Sequence, residues 1–492
     1  MQLDQVMLLG AVVLLISIVA ARLGSRFGLP SLLIFLGLGV VVGQVVYFGD
    51  AELAHTLGFA ALVLILGEGG FTTKWSEIKG ALPSALLLST VGVGISVAVV
   101  AAFVYFVIGL DLPTSILVGA VTSPTDAAAV FSVLRKVPLP PRLRATIEAE
   151  SGFNDAPIVL LVAAATAWEM GQGIEGGPLV VVGLILAELA GGVLVGVAVG
   201  KLGVWILRRI ALPASGLYPL AALGWAVLAY GLGASLHLSG FAAVYVTALV
   251  LGNGKLPHRH ATRSFAEGIG WIAQIGLFVM LGMLAEIQRI TVASAAAGVA
   301  AGLVLTFVAR PLSVWVCTVW FKVPWREQLF ISWAGLRGAV PIIMATVPLA
   351  AGAPGSTTVF DMVFVFVVVF TLLQAPTLPW MARKLQVSTG EDATDVEIEF
   401  APLDTIAADM MQVHVPDGSR LHGVTIRELR LPKNSVVSLI VRGGEPFPVG
   451  PDRIIRQGDD LLIVTNGDDR KRVEDRLRSI SVGGRLARWR DL

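Results

Sequence analysis

Apolar runs long enough to cross a bilayer follow one another through most of the chain, separated by short polar breaks. A helix needs about 20 apolar residues to span the hydrocarbon core. Runs of that kind lie near residues 3–21, 30–48, 52–68, 81–108, 114–134, 145–169, 178–207, 216–236, 238–253, 264–284, 291–320, 326–348 and 357–381. The pattern predicts an all-α polytopic membrane protein of about thirteen transmembrane helices. Ser239 and Gly240 alone divide the eighth run from the ninth. The first run has no basic residue before it and Arg22 and Arg26 after it, so it reads as a retained helix rather than a cleaved leader.

After Leu385 the pattern changes. Short alternating segments predict strands over 410–415, 436–441 and 460–464, with a short helix at 424–429 and a longer one at 468–480. This is a small α+β domain over 403–485, behind an acidic linker over 386–402, and the membrane domain covers 1–385. Composition agrees: Asp, Glu, Lys and Arg make up 38 of the first 385 residues and 33 of the last 107, against about 25% in soluble proteins. The first part is therefore solvated by lipid and the second by water. The expected partner is the lipid bilayer. A net charge of +1 offers no basic excess for a nucleic acid polymer, and Cys317 is the single cysteine, which excludes a disulfide framework.

Loop charges orient the spans, because cytoplasmic loops retain Lys and Arg. Alternate loops hold 17 basic residues, from Arg22 and Arg26 through Arg135, Lys136, Arg142 and Arg144 to Arg383 and Lys384. The opposite loops hold only Arg289, beside acidic residues such as Asp50, Asp111, Glu175 and Glu286. An odd number of spans follows, with the N-terminus outside and the C-terminal domain cytoplasmic.

Ionisable groups within spans cost about 2.5–3.5 kcal/mol each on insertion scales, so each is a functional candidate. The fifth span carries Ser123-Pro124-Thr125-Asp126. Pro124 has no N–H and disfavours helix at Ser123, so this span should unwind. Freed carbonyls, the Thr125 hydroxyl and the Asp126 carboxylate are hard oxygen ligands for an alkali cation; Asp126 could equally cap a half-helix starting at Ala127. The sixth span carries Glu150-Ser151-Gly152-Phe153-Asn154-Asp155. Ser151 and Asp155, four apart, share one helix face, and Glu150 and Asn154 share a neighbouring one. Asp155 is the best candidate to hold either a proton or a cation, which compete for the same charge. The twelfth span is interrupted by Gly335-Leu336-Arg337-Gly338-Ala339-Val340-Pro341. That reads as a second broken helix whose permanently charged Arg337 pairs with Glu150 or with a half-helix end. Breaks seven spans apart fit copies of spans four to six and eleven to thirteen in opposite orientation, a secondary-transporter pattern. Arg310, before Pro311, needs a partner that the sequence does not name. Glu68, Glu188 and Asp361 read as interfacial, and His258 and His260 as loop residues.

Thr90-Val91-Gly92-Val93-Gly94 is similar to the potassium-channel filter, which makes a regulated potassium channel the alternative function. It lies inside a continuous apolar run, where Gly92 and Gly94 would more simply let a neighbouring helix approach. An organic-solute symporter is a third class, and would call for a larger, aromatic-lined cavity.

Together, the motifs of the fifth, sixth and twelfth spans resemble the NhaP-like branch of the monovalent cation:proton antiporter superfamily over residues 1–385. The resemblance implies a core of spans four to six and eleven to thirteen, with crossed, unwound fifth and twelfth helices. It also implies a dimerisation domain of the other spans, a homodimer, and elevator-type movement in the cytoplasmic membrane of a bacterium. It assigns ion and proton binding to Thr125, Asp126, Ser151 and Asp155, with the alkali cation at Asp155, Thr125 and Ser151. A structural network of Glu150, Arg337 and Asn154 goes with it, and so does electroneutral exchange, because Asn154 stands where electrogenic relatives carry a second aspartate. The tail resembles a TrkA-C domain of the potassium-conductance-regulator type, with Gly458-Asp459-Asp460 as the turn before an apolar strand. Such domains can bind a nucleotide-type regulatory ligand; no other cofactor is expected. The tail favours potassium as the transported ion, with sodium the alternative.

Overall fold

The computed structural model describes residues 3–484 apart from 28–29, 47, 127–128, 131–136, 138, 173–176, 389–396, 404–407, 417 and 467–468. Arg135, Lys136, Glu175, the end of the fifth run and residues 389–396 of the acidic linker therefore lie outside the described residues. The chain forms two compact units, Met1–Ser388 and Thr389–Leu492, so the division falls three residues beyond the change in composition.

Helix lies over each of the thirteen predicted runs. Among the described residues, seven helices are long and apolar enough to cross a membrane unbroken, and the pair Trp325–Ala334 and Ala339–Ala350, bent by 51°, is an eighth if counted as one span. The rest are shorter, such as Ser31–Gly43, Leu112–Thr122 and Gly240–Asn253. Where the eighth and ninth runs meet, the chain turns: Leu217–Ser235 ends, His237 takes positive φ, and the Ser239 hydroxyl accepts from the Ala242 amide to start Gly240–Asn253.

The helices of the membrane unit pack as two groups. One contains Leu82–Ile108, Leu112–Thr122, the sixth span, Val292–Phe321, the bent pair and Ser356–Lys384; the other contains Ser31–Gly43, Ala51–Thr72, Pro178–Arg209, Leu217–Ser235, Gly240–Asn253 and Arg259–Leu284. The half-helix Ala339–Ala350 touches Ala51–Thr72 and Arg259–Leu284 across the divide. Each group buries small and apolar residues against itself, the means by which helices associate where lipid supplies no hydrophobic drive.

The filter-like pentapeptide is helical. Residues 88–92 form a π turn inside Leu82–Ile108, and the Thr90 hydroxyl donates to the Leu86 carbonyl at 2.7 Å. Its carbonyls are spent within the helix and cannot line a pore, so the channel reading falls. Gly92 lies against Cys317 of the neighbouring helix, whereas Gly94 faces open space.

The soluble unit is an antiparallel sheet in the order β1-β2-β5-β3-β4: β1 Glu397–Leu403, β2 Ala408–His414, β3 Ser435–Arg442, β4 Glu445–Pro448 and β5 Asp459–Thr465. Gly443 and Gly444, both at positive φ, make the two-residue hairpin between β3 and β4. Helix Arg470–Gly483 packs Val473, Leu477 and Ile480 on a core that includes Met411, Val413, Ile440, Leu461 and Ile463. One expectation is corrected: β1 occupies the end of the stretch read as acidic linker and pairs with β2 from Glu397 opposite His414 to Leu403 opposite Ala408. Glu397-Ile398-Glu399-Phe400 has the two-residue alternation of a strand, but its acidity masks it. The turn at Gly458 is as expected, with positive φ immediately before β5.

Candidate ion-binding site

The fifth span starts as helix Leu112–Thr122, capped by Asp111, whose carboxylate accepts from the Thr114 amide. Near its end the Thr122 and Ser123 hydroxyls turn back to the carbonyls of Val118 and Gly119. Pro124 then stops it, and residues 124–126 are non-helical. The expected half-helix start at Ala127 lies outside the described residues, but the Asp126 carboxylate does accept the Ala129 amide at 3.1 Å.

In the twelfth span, residues 335–338 are unwound between Trp325–Ala334 and Ala339–Ala350. The two breaks cross and satisfy each other. The Asp126 amide donates to the Leu336 carbonyl at 2.9 Å, and Arg337 Nε donates to the Thr122 carbonyl at 3.2 Å. Arg337 also bonds the Gly335 carbonyl, and its own carbonyl accepts from Thr371. Broken backbone at membrane depth requires this kind of internal pairing. A Cβ at Gly338 would collide with the Asp126 carboxylate, so glycine permits the crossing.

The sixth span holds a third break, which the helical-face reading did not foresee. Helix Pro141–Phe153 ends and Asp155–Glu169 begins around Asn154, because Pro157 has no N–H for the Phe153 carbonyl. Asn154 thereby reaches the fifth span: its Nδ2 donates to the Thr125 carbonyl (3.2 Å) and hydroxyl (2.7 Å), and that hydroxyl is 2.9 Å from Ser151 Oγ. Thr125, Ser151 and Asn154 form one hydrogen-bonded set. Next along the chain, Asp126 and Asp155 line a single cavity of about 10 Å³, closed by Leu62, Leu66, Leu277, Phe278 and Val340. That is the order of one water molecule. Asp155 is 1% exposed, and its Oδ1 has no hydrogen-bond partner among the described residues.

The expected Glu150–Arg337 pair is not what forms. Glu150 is gripped by Arg310, with Nη1 2.5 Å from Oε1 and Nη2 2.9 Å from Oε2. Arg337 spends its hydrogen bonds on backbone carbonyls instead. Arg310 follows the π turn at residues 305–309, and bidentate geometry suits a guanidinium facing a buried carboxylate. The sequence offered two intramembrane arginines beside one glutamate, and nothing local decided between them. Both guanidiniums pass Gly335, where a Cβ would lie 2.7 Å from Arg310 Nε and 2.8 Å from Arg337 Nη1. Asp361 is also paired, to Arg289, at 2.8 Å.

Crossed, unwound helices around paired buried carboxylates in a membrane-spanning bundle define a secondary ion transporter. Residues 11–384 match the family model described as sodium/hydrogen exchanger, transmembrane, and residues 410–478 match the TrkA-C domain. The chain belongs to the sodium/hydrogen exchanger family, and it is a cation/proton antiporter, not an enzyme. The K(+)/H(+) antiporter NhaP of Alkalimonas amylolytica is 32% identical over 92% of this chain and 80% of its own. The K(+)/H(+) antiporter NhaP2 of Shewanella oneidensis is 35% identical over 85% of this chain and 76% of its own. Among solved structures, the sodium proton antiporter MjNhaP1 of Methanocaldococcus jannaschii at pH 8 aligns with a TM-score of 0.67 and 23% identity, covering 78% of this chain and 99% of that one. That likeness concerns the fold.

Proposed function

We propose that this protein exchanges potassium for protons, one for one, across the cytoplasmic membrane of a bacterium. Asp155 carries either ion in turn. The observation that carries the reading is the Asp155 carboxylate itself: buried, with an Oδ1 that has no partner among the described residues, in a cavity shared with Asp126. A proton or an alkali cation is what such an oxygen can accept, and the two exclude each other there. Thr125 and Ser151, adjoining in one hydrogen-bonded set, supply further hard oxygen ligands when the set opens.

Charge balance supports the stoichiometry. Around the crossing, among the described residues, three buried carboxylates, Asp126, Glu150 and Asp155, face two buried guanidiniums, Arg310 and Arg337. The surplus is one negative charge, which one proton or one monovalent cation neutralises. Bare negative charge is costly at this depth, so the site crosses loaded with one ion or the other. The group of helices holding the breaks moves past the other group as an elevator in this scheme, with a homodimer anchoring the latter and the N-terminus outside. The TrkA-C unit serves as a cytoplasmic regulatory domain for a nucleotide-type ligand.

Potassium is favoured by the names of the K(+)/H(+) relatives that align along most of this chain. Sodium is the second reading: an Na(+)/H(+) antiporter NhaH of Halobacillus dabanensis is 26% identical over 77% of this chain. The test is proton flux in proteoliposomes loaded with a pH-sensitive dye, with potassium or sodium chloride added in turn. Potassium-driven flux that is unchanged when the membrane potential is clamped is the expected result. Flux with sodium alone would overturn the ion, and dependence on potential would overturn the stoichiometry.

A further inference from the structure

Away from the crossing, the membrane unit carries a cavity of about 600 Å³. On one side lie Val197 and Val204 of Pro178–Arg209 and Val246 and Val250 of Gly240–Asn253; on the other lie Leu86 and Phe153. It therefore opens between the two groups of helices. That volume lies within the range of pockets that take a sizeable organic ligand, so the groove has room for an acyl chain.

Its polar lining is small. Asn253 is fully engaged, donating to the Thr73 and Leu249 carbonyls and accepting from the Trp75 amide. Lys201 is different: it has no ion pair or hydrogen bond among the described residues, and it is exposed on an apolar helix. Seven residues separate it from Arg208 at the helix end, about 10 Å along the axis. A lysine there snorkels, with its stem on apolar surface and its ammonium at headgroup level. Trp75, 45% exposed at the rim, suits the same interfacial depth. Arg208 Nε donates to the Lys255 carbonyl at 3.1 Å, which adds two more basic residues close to Gly254 of the lining.

We propose that this groove binds one acyl chain of an anionic phospholipid whose phosphate is held by Lys201. The apolar walls match the chain, and the unpaired ammonium at the mouth matches the phosphate; basic pockets between helices on the cytoplasmic side select anionic headgroups. Phe153 is adjacent to the break at Asn154 and stacks edge-on against Tyr245, with ring centroids 5.0 Å apart. The bound chain thus touches the sixth span one residue from the site and lies between the helix groups whose relative movement transport requires. Binding itself does not depend on which ion is carried.

Native mass spectrometry of the full-length protein, incubated with phosphatidylglycerol or with phosphatidylcholine of the same chains, tests this. One retained phosphatidylglycerol per chain is expected, with phosphatidylcholine retained at least fivefold less. Lys201→Ala should lose that preference and Lys201→Arg should keep it, while Val197→Trp, which fills the groove, should lose the lipid altogether. Size-exclusion profiles matching the wild type show which variants are folded. Equal retention of both lipids by the wild type, or wild-type retention of phosphatidylglycerol by Lys201→Ala and Val197→Trp, would overturn the proposal. So would a Val197→Trp variant that keeps its lipid and loses its dimer, which would give the groove to a second copy of the chain.

Discussion

Asp155 and Glu150 sit five residues apart on the same buried span, yet their surroundings are opposite. Glu150 is held by both terminal nitrogens of Arg310, whereas Asp155 keeps an oxygen without a partner among the described residues. A carboxylate saturated by a guanidinium has no oxygen left for a cation, whereas one with an unpartnered oxygen can accept one. Asp155→Asn should therefore abolish exchange in proteoliposomes while leaving expression and elution at wild-type levels. Full exchange activity in that variant would remove Asp155 as the carrier. Arg310→Ala should act on stability, because it strands Glu150 as a buried charge, a loss on the order of 3–5 kcal/mol. Thermal unfolding in detergent measures it, and Glu150→Gln in the same chain should recover part of the loss.

At the scale of elements, the crossing depends on backbone more than on side-chain charge. Gly338→Ala places a methyl group where the Asp126 carboxylate lies, and the carboxylate cannot yield without giving up the Ala129 amide. At least a tenfold fall in exchange is expected, read from the same flux assay at matched protein density. In the soluble unit, the Asp459 side chain joins β5 to β3 through Arg442, at 2.6 Å and 2.8 Å, and also accepts the Arg456 amide. Burial alone would push its pKa up, but the hydrogen bonds from Arg442 and Arg456 outweigh burial and hold it below the usual carboxylate value. A depressed folded pKa means stability that is fully present above the unfolded carboxylate pKa and is lost as pH falls through the folded one. The tail should resist limited proteolysis at neutral pH and lose resistance only in acid. Arg442→Ala should move that loss to higher pH; an unmoved midpoint would mean that Asp459 contributes nothing to it.

For the whole molecule, the informative property is topology. Cys317 is buried and is the single cysteine of the chain, so one substitution prepares a background for site-directed labelling. A cysteine at Gln288 should react with an impermeant maleimide from outside the cell, and one at Ser215 only after permeabilisation. The reverse pattern would invert the orientation drawn from the loop charges.

Much of this was legible in the sequence, and what was legible has a common cause. Solvent writes itself into composition, so the apolar runs, the change at Leu385 and the loop asymmetry could be read residue by residue. Proline and glycine act on their own backbone, so the breaks at Pro124 and at 335–338 were visible too. Asp155, Asp126, Thr125, Ser151 and Asn154 could be singled out because a polar group in an apolar run stands out wherever it later lies. Partnership was not legible. That Glu150 takes Arg310 and not Arg337, that Asn154 clamps Thr125, and that β1 emerges from an acidic stretch to pair with β2 depend on distances between elements remote in the chain. Local preference sets where a helix stops or bends, while the choice among chemically equivalent partners is made by packing, and only the tertiary structure contains it.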